Sequence, residues 1–460
     1  MRTLLACAVA LWVLGSGQAL AACGRFGTTH RYDDDFSCLN DPAKRTGPLD
    51  SLKLIPLAPD PSVTLTIGGE LRERYETVRN PDLGTSGVTK DDVFLHRLLL
   101  NADLRLGPNV RFFGQLGNHL ATERRTGAAP TDENRLDLQQ GFVDLSAPLG
   151  NGEFTVRAGR QEIAFGSQRL TTVREGPNVR LSFDGVRTFW TRDSIRIDAF
   201  AVRPVRLSTE AFDDDPDPGQ AFWGVYGAGK LPAWTASGLD LYYLGLDRET
   251  ARFDRARADE RRHTLGARLF GRSGAWDWDL EAAYQFGRFG TRDIRAWTVA
   301  STVGVTLADL PWTPRLGLSA DVASGDRNPN DRVLGTFNAL YPRAPYFTEA
   351  AINAPANLMD LHPFIEVKPH AALTLRAGVD FMWRHSRTDA FYSQPIAPLI
   401  PGDASSDRYI GSQAEVRATW TVNPNLSLNA AYVHFRAGDF IRAGGGKDQD
   451  YGAIWTTFRF

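Results

Sequence analysis

The residues of this chain best suited to chemistry are arginines, and they recur on alternate positions. Glu70, Arg72, Arg74 and Glu76 share one parity of a stretch that begins near Ser62. Arg97, Asn101, Asp103 and Arg105 do the same in a second stretch. Further along, Arg157, Arg268, Asp277, Asp279, Glu281, Arg315, Asp321, Asp360, Glu366, Arg376, Asp380, Glu415 and Arg417 continue the pattern. The opposite parity is mostly Leu, Val, Ala, Ile and aromatic. Arginine far outnumbers lysine. A guanidinium keeps its charge at any working pH and presents a planar fork that fits a carboxylate with two hydrogen bonds. Arginines interspersed with Asp and Glu suit a carboxylated, hydroxyl-rich ligand that must bind and also leave. The same residues can also form Arg–Asp and Arg–Glu ladders that stiffen a wall, so each arginine carries both readings.

Alternation with period two requires strands with two unlike faces. It is clear in Val63-Thr64-Leu65-Thr66-Ile67, in Trp276 to Ala282, in Leu373 to Phe381 and in Ser412 to Ala418. Short turns fall near 107–109, 147–152, 192–193, 229–238, 272–274, 308–313, 369–370 and 423–425. Between them lie mostly longer connections, at 78–91, 121–136, 165–182, 203–220, 246–262, 287–293, 323–357, 385–408 and 437–450. Eight turns and nine loops join about 18 antiparallel strands. Short turns at one rim and long loops at the other are the arrangement of an outer-membrane barrel, with the turns periplasmic and the loops extracellular. Closing the sheet satisfies every backbone donor and acceptor in lipid. An Arg or Lys facing hydrocarbon near mid-membrane costs about 2–4 kcal/mol, so the charged parity is expected to face the lumen. Phe154, Trp190, Trp276 and Trp420 flank short turns, and Tyr75, Phe286 and Trp383 sit near long loops. These are the levels at which aromatic girdles form. The chain ends Ile454-Trp455-Thr456-Thr457-Phe458-Arg459-Phe460, similar to the terminal assembly signal of such barrels.

Residues 1–22 read as a secretory leader: Arg2, the apolar run Leu4 to Leu14, then Ala19-Leu20-Ala21. Residues 23–61 are rich in Pro and Asp and read as an irregular periplasmic extension before a barrel over 62–460. Cys23 and Cys38 are expected to form a disulfide, although Leu20-Ala21-Ala22-Cys23 also resembles a lipobox, which would instead place a lipid on Cys23. A net charge of −2 leaves no basic excess for nucleic acid. Histidines are scattered, and neither a Gly-x-Ser-x-Gly elbow nor a CxxC pair occurs, so no enzyme is expected. Asp213-Asp214-Asp215 with Asp217, and Asp326 with Asp331, carry oxygen ligands that could hold a structural calcium, although polar turns are the favoured account of them. No other cofactor is implied.

Several segments resemble the bacterial alginate export family. They are Gly159-Arg160-Gln161-Glu162, Arg174-Glu175-Gly176-Pro177-Asn178-Val179-Arg180, Ser182 to Arg187, Ser324 to Asp331 running into Gly335 to Asn338, Tyr32 to Asp35, and Gly69 to Glu76. The resemblance covers essentially the whole mature chain. It implies an 18-stranded outer-membrane barrel that passes an anionic uronate polymer through an arginine-lined constriction. Carried over by residue, it makes Arg72, Arg74, Arg160 and Arg187 contact candidates, to which parity adds Arg97, Arg157, Arg376 and Arg417. A bulge near Gly159 or Asp184 could reverse the parity there. The expected partners are the bilayer with its lipopolysaccharide, the anionic polymer, and periplasmic secretion components around a monomeric barrel. An uptake porin for small anionic or sugar-like solutes and a lipid-modifying enzyme are the alternatives, because one fold serves several functions.

Overall fold

The computed structural model describes residues 26–27, 29–122, 124–231 and 237–460. The expected leader and Cys23 lie outside them. Eighteen long strands form the wall. The first six are β1 (Val63–Arg79), β2 (Lys90–Leu106), β3 (Val110–Ala121), β4 (Asn134–Leu149), β5 (Gly152–Gln161) and β6 (Phe183–Arg192). Next come β7 (Ile195–Arg206), β8 (Gln220–Lys230), β9 (Ser237–Phe253), β10 (Ala256–Ser273), β11 (Trp276–Phe289) and β12 (Arg292–Thr306). The last are β13 (Arg315–Ala323), β14 (Leu358–His370), β15 (Leu373–Arg384), β16 (Tyr409–Asn423), β17 (Leu426–Ala437) and β18 (Gln449–Arg459).

Each strand pairs antiparallel with the next, and β18 returns to β1 from Glu70↔Arg459 to Arg79↔Asp450. The chain end completes the seam. Gly69 donates to the Phe460 carbonyl (2.9 Å) and accepts from its amide (3.0 Å). A Cβ at Gly69 would run into the Phe460 ring and the Leu99 carbonyl, so only glycine fits. No described helix is long and apolar enough to cross a membrane; the strands do so.

The two faces divide as parity requires. Leu241, Leu265, Leu280, Val299 and Ile454 are exposed on the outside. Trp276 and Trp420 are exposed at the short-turn level, Tyr75 and Phe286 at the long-loop level. At the rim where the chain enters β1 the connections are short, among them 150–151, 193–194, 274–275, 371–372 and 424–425. At the other rim two connections expected to be long are not. β9 and β10 continue to a two-residue turn at 254–255, and β11 and β12 to one at 290–291. The charged residues that mark them as loops, such as Arg261 and Asp247, instead pair across extended strands at 2.8 Å. Those strands project past the bilayer, where water rather than lipid meets their outer face.

Substituting Leu280→Arg places a charge on the lipid face of β11, between the girdle residues Trp276 and Phe286. It is expected to cost about 2–4 kcal/mol of membrane folding stability, against almost none for Thr374→Arg, which is built onto the inner face. Urea titration of vesicle-inserted protein reads the difference; equal losses would reverse the assigned faces.

Candidate functional site

The lumen is crossed by two outer-rim loops that fold inward. Residues 162–182 leave β5 and return at β6. At the base of this loop Glu162 accepts from the Arg180 Nη2 at 2.8 Å, and both side chains are buried. Burial pushes the Glu162 carboxyl up to about 7, against the pull of Arg180. From there the loop reaches the far wall, where Arg169 pairs with Asp279 (2.8 Å) and Glu281 (3.0 Å) of β11. Thr171 forms a bridge with Tyr341 of the second inward loop, 324–357. On its way back the loop offers the carbonyls of Glu175, Gly176 and Pro177 to the Arg72 guanidinium, at 2.8, 3.2 and 3.0 Å. Asn178 donates to the carbonyls of His96, Leu120 and Asp132. The motif 174–180 is thus the part of the loop that docks on β1–β4.

Most of the expected arginines are held by fixed partners. Arg97 is fully buried between Glu70 (2.7 Å) and the Glu175 carboxylate. Arg74 binds Glu76 (2.7 Å), Glu349 (3.0 Å) and the Tyr451 hydroxyl (2.5 Å). Arg157 forks onto Asp144 at 2.7 and 2.8 Å, and Arg187 pairs with Asp198 at 2.7 Å. Arg160 departs from this lumen set. The register Ala158↔Val186, Arg160↔Asp184 continues without a shift, so Arg160 lies on the face opposite Arg157 and Arg187. There it forks onto Asp184 at 3.0 Å and reaches Asp137 and the Asp214 carbonyl. Low dielectric makes such charge-assisted bonds firm and makes their partners costly to remove.

Two arginines remain open. Arg376 on β15 and Arg417 on β16 are cross-strand partners. Arg376 lies over the Phe364 ring at 3.9 Å, and among the described residues no carboxylate is within ion-pair distance of it. Arg417 has one carboxylate, Glu349, at 3.3 Å, lies 5.6 Å from the Trp455 ring and keeps 41% of its side chain exposed. Across β14 and β13 the row continues through Glu366 to Arg315, which pairs with Asp277 at 2.5 Å. Inner-face residues that keep solvent contact gather on this side: Asp279, Arg315, Glu366, Thr374, Thr419 and Asn429. By contrast the inner faces of β1–β8 are largely buried, except toward the short-turn rim, where Arg105 (49%) and Arg196 (41%) keep solvent contact. On the outer side, a cavity of about 200 Å³ is lined by Arg74, Glu76, Arg124, Glu349, Pro345 and Tyr451. Glu349 bridges the two regions, because it binds both Arg74 and Arg417.

The sequence profile of the alginate export family matches residues 63–454. The chain belongs to the alginate export family. Solved structures with the same fold include OccK8 (OprE) of Pseudomonas aeruginosa, 14% identical, with a TM-score of 0.55 over 86% of this chain and 98% of that one. OpdO of the same organism gives 14%, 0.57, 86% and 97%. OccAB1 of Acinetobacter baumannii gives 13%, 0.56, 86% and 96%. No curated protein matches the sequence. Family and neighbours together make the chain a bacterial outer-membrane β-barrel of the channel or porin kind.

The other expected sites fare unevenly. Asp326 pairs with the Arg292 guanidinium, which also lies 3.9 Å from Asp331, so a cation already stands beside both carboxylates. The carboxylates that do converge are Asp137, Asp213 and Asp214, whose oxygens lie within 4.8 Å of one another. Two of those three were in the acidic run read from sequence, but Asp137 was not. Cys38 is disulfide-bonded. Reading by parity alone overlooks Arg169, Glu175, Arg180 and Glu349, because inward loops have no parity; Glu175 and Arg180 were visible only within the family-like motif.

Arg180→Ala leaves Glu162 buried without its cation. Breaking a buried pair costs about 3–5 kcal/mol. Glu162 has a raised pKa, so its charged form burdens the fold above pH 7 and the burden fades as acid protonates it. The variant should therefore lose more heat stability at pH 8 than at pH 6, read from the temperature at which the compact gel band disappears. An equal loss at both pH values would show that Glu162 is not the group left unpaired.

Proposed function

We propose that this protein is an outer-membrane channel for an anionic polysaccharide, alginate or a related carboxylated glycan. The observation that carries the reading is the pair Arg376 and Arg417, adjacent and inward-facing. Arg376 has no carboxylate at ion-pair distance among the described residues, and Arg417 has Glu349 alone, at 3.3 Å, with 41% of its side chain exposed. A uronate carboxylate can take the two-pronged bond that wall arginines elsewhere give to Asp or Glu. Glu366 and Glu349 flank the pair and keep the attraction moderate, which suits passage rather than trapping. Thr374, Thr419 and Asn429 offer hydroxyl and amide partners for sugar hydroxyls beside the charge. Arg72, Arg97, Arg157 and Arg187 have the work of holding loops and wall.

A second reading is uptake of small carboxylated solutes. One neighbour of the same fold, OpdK of Pseudomonas aeruginosa, was solved with vanillate. At 11% identity it supports the barrel alone. The family match favours the polymer.

Planar-bilayer recording separates the two. Wild-type current should favour anions and be blocked by oligouronate but not by a neutral oligosaccharide of equal length. Arg376→Glu with Arg417→Glu should abolish the anion preference and the block together. Block by small aromatic carboxylates with indifference to oligouronate would favour the second reading, and unchanged selectivity in the double variant would remove these arginines from the path.

A further inference from the structure

The extension before β1 is not confined to the periplasm. Its first described residues enter the barrel as a strap. Tyr32, only 6% exposed, packs edge-on against Phe113 of β3 and Phe142 of β4, both inner-face positions. The Arg157 guanidinium sits in the corner between the perpendicular rings of Tyr32 (4.2 Å) and Phe142 (3.8 Å), while Asp144 holds its edge. Cation–ring contacts of this kind reach about 2 kcal/mol when desolvated. The Tyr32 hydroxyl donates to the Glu162 carbonyl at 3.0 Å, and its own carbonyl accepts from Arg111 at 2.7 Å. Thr29 receives Arg180 on its carbonyl (2.5 Å) and Gln168 on its hydroxyl (3.1 Å). The strap is therefore bonded both to the wall and to the crossing loop. Further along, the Lys53 ammonium caps the Ile67 carbonyl at 2.5 Å and ties the strap to β1.

The consequence is lateral. Strap and crossing loop bury most of the inner faces of β1–β5 above the short-turn rim, where a cavity of about 280 Å³ stays open beside Arg105. Most other solvent-facing inner residues therefore lie on β11–β17, where Arg376 and Arg417 stand. We propose that residues 29–36 are a selectivity insert: they fill one side of the lumen and confine an anionic solute to the Arg376–Arg417 wall. This rests on the channel function proposed above. Arg157 reads from sequence as a solute contact; here its role is to position Tyr32. The strap supplies what a bare 18-stranded wall lacks, a bore narrow enough that a passing carboxylate must meet the open arginines. Porin-sized barrels otherwise leave an aqueous channel.

Single-channel recording of Tyr32→Ala and Tyr32→Phe tests the proposal, with the heat-sensitive compact gel band confirming a folded barrel. Tyr32→Phe keeps the ring nest and should conduct as the wild type. Tyr32→Ala should raise conductance and bring the chloride-to-potassium permeability ratio toward one, although Arg376 and Arg417 are intact. Should Tyr32→Ala not fold, Thr29→Val with Gln168→Ala leaves the nest intact and cuts one strap-to-loop bond; it should flicker above the wild-type level. Folded strap variants that all conduct with wild-type size and selectivity would overturn the insert. If in that case Arg376→Glu with Arg417→Glu still abolishes anion preference, the insert fails and the channel reading stands. If strap variants widen the pore but the arginine variant leaves selectivity unchanged, the channel reading fails.

Discussion

Hydrocarbon offers no partner for a peptide group or a charge, and every feature of this protein follows from that. The backbone must bond to itself without an edge, so β18 closes on β1 and Phe460 completes the seam at Gly69. Charge must leave the outer face, so it accumulates inside. Once there it must be neutralised, because burial of an unpaired guanidinium or carboxylate is costly. The inner wall consequently became a set of ladders: Asp144–Arg157, Asp198–Arg187, Asp240–Arg268–Asp279.

This inverts the simplest view of an arginine-rich lumen. Abundance alone does not make a binding surface, since most of these guanidiniums complete the fold. Arg72 has no carboxylate in hydrogen-bond contact, yet three loop carbonyls hold it. Function falls to the exceptions, where the wall supplies a cation and withholds the matching anion. Arg376 is such an exception, with Arg417 beside it sharing Glu349 with Arg74 and keeping 41% of its side chain exposed. Both occur on the side that the strap and the crossing loop leave most open.

The barrel itself was legible because its signal is local and repeated. Period-two alternation, Gly107-Pro108-Asn109 and Asn423-Pro424-Asn425 turns, and the terminal Phe each report on a few neighbouring residues. The β9–β10 and β11–β12 hairpins were misjudged for a definite reason: above the bilayer the outer face turns polar, as at Arg261 and Arg288, and alternation disappears although the strand continues. The site was harder to read. Whether Arg97 is open depends on Glu175, and whether Arg74 is open depends on Glu349, residues far along the chain in loops without periodicity. Arg160 shows the limit of parity near a rim. The Tyr32 to Asp35 motif stood out by resemblance, but nothing local places Tyr32 beside Phe113 and Phe142.

The most direct measurement is a structure of the protein bound to a short uronate oligomer. We expect the sugar carboxylates against Arg376 and Arg417, with Tyr32 still seated against Phe113 and Phe142. Oligomer bound instead at Arg72 and Arg97, with Glu175 and the strap displaced, would contradict the division between structural and working arginines.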